Sequence, residues 1–303
     1  MSDASEWAEV VNAKFERVRE SAAEVADLVK AWRQRNNPHT ITMKQDESSG
    51  EVLLHVAIND WPTVQIAVLM GEFVHNLRSI LDFTVVQLWA AGGSGLPAQD
   101  GMFPCIRSDS EWKRRAVREP RSTCETCGLP NPRPGMVYGI APAAQAIIKQ
   151  RQPYMSGMET NSCHPLTQLV EMSNADKHNG IFNGIELSPI DPIKLVHPSH
   201  PEPFYHSPRI SKTNTQVLPS SVPLETAKMF VNYDLFLEPR ISFVSDRDTE
   251  REMVHRIFLA QSIHQLSEWV SETILDLRPF FGAENLVLGY PYDLHWPPTS
   301  EEE

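Results

Sequence analysis

The sequence predicts an α+β fold: a bundle of long helices with an antiparallel β-sheet packed on one side. Three observations predict it. Apolar residues recur at three- and four-residue steps over about 5–34, 61–91, 165–179 and 249–278, the signature of amphipathic helices. Two strand-like runs flank a turn-like DESSG within 39–58. A stretch rich in proline and β-branched residues, 181–247, carries further strand-like runs. With 303 residues and 41% hydrophobic content there is material for one sizeable core, and a single domain over 1–303 is expected.

The first helix rests on Trp7, Val11, Phe15, Val18, Ala22, Val25, Val29 and Trp32, and it should stop before Asn36, Asn37 and Pro38. HTITMKQ and EVLLHVAI then read as a hairpin. Asn59 or Asp60 can cap the second helix, with Pro62 in its first turn, and nothing breaks its pattern before Gly92. At 1.5 Å per residue this helix spans about 45 Å, long enough to be the spine of the fold.

Residues 93–140 form a loop-rich insertion with a short helix near 109–118, and another short helix follows near 141–151. Pro165 opens the third long helix and Gly180 can close it. KLVH, TQVLP, MFVNYDLFL and RISFVS are the strand candidates of 181–247. Thr249 and Glu252 make a capping-box pair ahead of the last helix, which Pro279 and Gly282 end.

Charge narrows the functional classes. Lys and Arg number 27 against 39 Asp and Glu, a formal net charge of −12, so general attraction to phosphate backbones is excluded and only a local basic site could hold nucleic acid. The N-terminal residues lack the apolar core of a signal peptide and no segment reaches the length of a membrane span, so a cytoplasmic protein without a membrane partner is expected. Four cysteines in that setting point to thiols or a metal site rather than a disulfide framework.

Chemistry-bearing residues concentrate on two helices. In GEFVHNLRSILDF, residues 71–83, Phe73, Leu77, Ile80, Leu81, Thr84 and Leu88 share one face. Glu72, His75, Asn76, Ser79 and Asp82 fall on the other, and Arg78 stands beside Asp82 at i,i+4. On HPLTQLVEMSNADKH, Leu166, Leu169, Val170 and Ser173 make a buried side, while Glu171, Asn174 and His178 form a polar line.

The pairing of GEFVHNLRSILDF with SNADKHN, about 95 residues later, resembles a widespread group of bacterial proteins with a G-[DE]-x-x-H-N-L-R-S-A-L-D-H pattern followed by N-x-D-K-H-R. The similarity extends to the order of parts, including the MFP segment and Gln152-Pro153-Tyr154. This chain has Phe83 where the group has histidine and Asn179 where it has arginine. The group's R-S-A-L-D-H is in turn similar to the arginine and histidine motif of the HEPN ribonucleases. That resemblance implies metal-free catalysis by an Arg and His pair on a ribose 2′-hydroxyl and a phosphate. With Phe83 in the histidine's place, the composite version uses Arg78 to hold phosphate and His178 as acid or base.

The residues suit such a role on their own terms. Near a helix C-terminus, beside Asp176, a protonated His178 is favoured, and Lys177 with Arg78 could stabilise an oxyanion or phosphate. The leading expectation is therefore a hydrolase, ribonuclease-like, acting by acid–base chemistry with no required cofactor. Its catalytic residues would be Arg78, His178, His75, Asp82, Asp176 and Lys177, and its binding residues Asn76, Asn174, Glu72 and Glu171. RNA or a phosphate-containing small molecule is the expected substrate, and the striped helices permit a homodimer. The alternative is a non-enzymatic binding or interaction protein in which the same residues form a structural network.

Metal readings compete for some of the same residues. Glu72 with His75 and Glu252 with His255 are E-x-x-H pairs of the kind found in di-metal helical bundles, but few further glutamates are in place to complete such a centre. Cys124 and Cys127 form half of a zinc knuckle, for which Cys105, Cys163 or His164 would have to supply the remaining ligands. His197, His200 and His206, among prolines, read as exposed loop histidines.

Overall fold

A computed structural model describes residues 4–35, 39–45, 52–92, 101–119, 122–123, 130–131, 134–157, 163–178, 187–189, 193–197, 200–206, 209–210, 215–218, 237–244, 254–282 and 286. Six α-helices appear among them: α1 (Ala4–Arg33), α2 (Thr63–Ala91), the single turn α3 (Asp109–Glu111), α4 (Pro142–Gln150), α5 (Pro165–His178) and α6 (Leu259–Leu277). The turn α3 continues directly into a π-helix, Trp112–Ala116.

Apolar periodicity accounts for the packing. Every stripe residue of α1 from Trp7 to Trp32 is buried, and α2 answers with Ile66, Met70, Phe73, Val74, Leu77, Ile80, Leu81, Val85 and Leu88. One hydrophobic cluster joins these to Phe103 and Ile106, to Trp112 and Ala116, to α4 and to the inner faces of α5 and α6. Aromatic contacts fix the ends of the bundle. Trp7 stacks on Phe281 with centroids 4.0 Å apart and donates its indole N–H to Thr84 Oγ1 at 3.4 Å. At the other end Trp32 meets Trp61 edge to face and donates to the Asn59 carbonyl.

The expected α+β architecture is overturned. The packed body is mostly helical, 75% of it, and helices supply most of the core among the residues whose burial is described. Extended pairings among the described residues lie in separate small sheets instead of one sheet covering a side of the bundle. β1 (His39–Gln45) pairs antiparallel with β2 (Val52–Ile58), and Thr215–Leu218 pairs with β2 in turn. Ile193–His197 and His200–His206 pair with each other, and with no other strand among the described residues. The reason is that the long helices already cover one another's apolar stripes. Prolines also cut 181–247 into short runs that cannot donate a continuous ladder.

A second difference concerns the last helix, which starts at Leu259 and not near 249. Val254–Phe258 is extended and pairs with Arg240–Val244. The β-branched and aromatic residues of VHRIF satisfy a strand as well as a helix, and tertiary pairing decides between them. The capping pair Thr249 and Glu252 lies outside the described residues.

Candidate functional site

Helix α2 carries GEFVHNLRSILDF through its middle, and a rotation of 100° per residue separates its polar residues into two lines rather than one. Gly71, His75, Arg78 and Asp82 form the first line, and Glu72, Asn76 and Ser79 the second. Each line has its own neighbours.

The second line faces α1. Glu72 Oε2 accepts from Arg17 Nη2 at 2.8 Å, and the half-exposed Asn76 donates its side-chain N–H back to the Glu72 carbonyl at 2.8 Å. Both residues are thereby committed to holding the α1–α2 surface and the helix itself.

The first line faces α5 and the extended segment 101–106. A Cβ placed on Gly71 would come within 2.8 Å of Asp176 Oδ1, so the two sequence motifs meet where α2 has no side chain. Asp176, Lys177 and His75 are exposed. Further along, Arg78 donates from Nε to Asp82 Oδ2 at 3.2 Å and from Nη2 to the Phe103 carbonyl at 2.7 Å. Asp82 Oδ1 accepts the Phe103 N–H at 2.7 Å and lies 3.0 Å from Arg78 Nη2. The i,i+4 pair thus grips both backbone polar groups of one residue, satisfying a donor and an acceptor that would otherwise be orphaned beside the core. The Arg78 side chain is only 12% exposed, and its remaining nitrogen, Nη1, is enclosed without a hydrogen-bond partner among the described residues. Burial pushes the Asp82 carboxyl above the usual range, against the opposing pull of Arg78, the Phe103 N–H and Lys177.

Two more side chains anchor the same segment. The fully buried Gln152 accepts the Ile106 N–H on Oε1 at 2.9 Å while its Nε2 donates to the Ile148 carbonyl at 2.9 Å. Glu171 of α5, also buried, accepts from Arg107 Nη2 at 3.1 Å. Residues 103–107 are therefore tied to α2, to the end of α4 and to α5 by Arg78 with Asp82, by Gln152 and by Glu171. Gln152 and the Phe103 backbone are absent from the site expected from sequence, although MFP and Gln152-Pro153-Tyr154 belong to the ordered parts that carry the family resemblance.

The remaining candidates are dispersed. Asn174 is half-buried on α5. His178 is the last residue of α5 and its side chain lies outside the described residues, as do Asn179, Cys124, Cys127 and Glu252. Cys105 is half-buried and Cys163 exposed. His164, a candidate zinc ligand, has another use. Its Nδ1 accepts the Leu166 N–H at 3.1 Å, capping α5 ahead of Pro165, and its ring meets Trp269 edge to face. Burial, helped by the Arg151 charge, lowers its pKa to about 4, so the ring is neutral. Among the described residues no group of three or more His, Cys, Asp or Glu is placed to hold a metal ion, and no helix is long and apolar enough to cross a membrane.

The paired motifs therefore meet where Asp176 approaches the buried Gly71, with His75 and Lys177 exposed on their own helices and an enclosed part at Arg78, Asp82 and Phe103. No family model matches the chain, and no curated protein or solved structure gives a match.

Proposed function

We propose that the protein is a helical binding or interaction protein in which the paired motifs are architectural. One observation carries this reading: Arg78 and Asp82 commit their polar atoms to each other and to the backbone of Phe103. An arginine that clamps phosphate needs its guanidinium fork turned toward the ligand. Here Nη2 is engaged by a carbonyl and Nη1 is enclosed. Removing one partner of such a pair strands the other with the Phe103 groups, at a cost of about 3 kcal/mol. Arg78→Met should accordingly lower the melting temperature by about 6–12 °C, and wild-type protein should leave mixed RNA uncut. Metal-free RNA cleavage by the wild type would defeat the proposal.

A second reading keeps a hydrolase at the end of α5 where the motifs meet, and the approach of the exposed Asp176 to Gly71 favours it. In that reading His178 is the acid or base, Asp176 and Lys177 precede it in the chain, and His75 of α2 assists. Arg78 then positions the segment rather than the substrate. RNA cleavage lost in a stably folded His178→Ala variant would select this reading over the first.

A further inference from the structure

A local excess of positive charge lies away from the paired motifs. Residues 107–118 hold five cations, Arg107, Lys113, Arg114, Arg115 and Arg118, against the two carboxylates Asp109 and Glu111, in a chain whose formal charge is −12. The π-helix organises them. Trp112 and Ala116 are buried at its ends, and the three residues between them, Lys113, Arg114 and Arg115, are all exposed. A π-turn is rare and recurs at functional positions, because the widened turn is tolerated only where something holds it.

Here the hold is visible. The N–H groups of Gly135, Met136 and Val137 donate to the carbonyls of Arg118, Arg115 and Ala116 at 2.8, 3.0 and 2.8 Å. A Cβ on Gly135 would sit 2.4 Å from the Ala116 oxygen, so only glycine allows this approach. The basic turn is a fixed platform.

Its own carboxylates neutralise it only in part. Asp109 is shared between Lys113 at 2.9 Å and Lys149 of α4 at 2.7 Å, which brings a further cation to the same face. Glu111 pairs with Arg115 at 2.6 Å and accepts the Arg107 N–H at 3.0 Å. Glu119 follows the turn and is exposed. Arg114 has no ion pair among the described residues. Exposed pairs of this kind contribute little and open readily to a better anion.

We propose that Lys113, Arg114 and Arg115, with Lys149 beside them, form a docking surface for the phosphate backbone of single-stranded nucleic acid. Exposed cations gain little from an acidic peptide, whose carboxylates offer only more exposed pairs. A nucleic-acid strand carries condensed counterions whose release drives association even at an open surface. Arginine forks suit its phosphate oxygens. A single strand can keep to this one face, whereas a stiff duplex would carry its flanks past the acidic remainder of the molecule. The surface is separate from the Arg78 network, so each proposal can fail without the other.

The test is fluorescence anisotropy of a labelled mixed-sequence strand of about 12 nucleotides, as RNA and as DNA, titrated with full-length protein over a salt series. Three phosphate contacts predict a log–log salt slope of about −2. Arg114→Glu should bind at least tenfold more weakly with an unchanged melting temperature, and Arg114→Lys should recover most of the affinity. If Arg114→Glu fails to fold, Lys113→Ala with Arg114→Ala serves in its place, with the same expectation. No binding at low salt, equal binding by a folded charge-reversed variant, or equal competition by polyglutamate or by duplex DNA would overturn the proposal.

Discussion

Lowering the pH from neutral to about 4 should remove about 3 kcal/mol of stability through one side chain, His164. The ring is 4% exposed, packed against Trp269, and its Nδ1 is occupied by the Leu166 N–H. Protonation would place a second N–H against that donor and a charge near Arg151. The folded protein therefore holds the ring neutral, with a pKa of about 4 in place of 6.5. In the unfolded chain the ring takes up its proton near 6.5, so the unfolded state binds more protons between the two values and stability rises with pH across that window. The contribution is fully present above pH 6.5 and is lost as the pH falls toward 4. At about 1.4 kcal/mol per pH unit, the difference between 6.5 and about 4 amounts to about 3 kcal/mol. His164→Asn isolates it, because asparagine can still accept the capping N–H but does not titrate. Urea denaturation of wild type and variant across pH 4–7 measures the effect, and the difference between them cancels the contributions of the carboxylates. The wild type should lose about 3 kcal/mol more than the variant over this range. Parallel curves, within about 1 kcal/mol, would refute the buried neutral cap.

Other substitutions test the packing around the two motifs. Gly71→Ala should change stability by no more than about 1 kcal/mol, since the displaced atom is the outer end of the exposed Asp176 and alanine favours a helix. Gly71→Leu should cost about 2 kcal/mol or more in the same thermal melt, because the added atoms cannot be cleared by moving one carboxylate. Gln152→Met keeps the side-chain volume but orphans the buried Ile106 N–H, and it should cost about 2 kcal/mol by denaturant unfolding with an unchanged m-value.

The helices were legible because each carries an apolar stripe long enough to be read without knowing its partner, as Trp7 to Trp32 does on α1. Strand-like runs were misleading for the opposite reason. KLVH and RISFV have the composition of strands and are extended, but whether such runs assemble into one sheet depends on long-range pairing that no local pattern encodes, and VHRIF, read as the start of the last helix, is extended for the same reason. The polar residues of α2 were visible as a group, and Arg78 beside Asp82 followed from i,i+4 spacing. Their target did not: the backbone of Phe103 has no side-chain signature, and it is joined to Asp82 across 21 residues of chain. His164 shows the same limit, since a histidine before a proline reads equally well as a ligand or as a cap until its neighbours are in place.

The anchoring of residues 103–107 also bears on how the molecule opens. This segment has no regular secondary structure before Asp109, and exposed irregular backbone ordinarily trades its amide protons with solvent quickly. The amides of Phe103 and Ile106 are instead bonded to side chains rooted in α2 and at the end of α4. Neither proton can reach water unless those elements separate, so in deuterated buffer both should persist as long as the amides in the middle of α2. A short connecting stretch would then report the slowest, global opening of the bundle rather than the fraying expected of its shape.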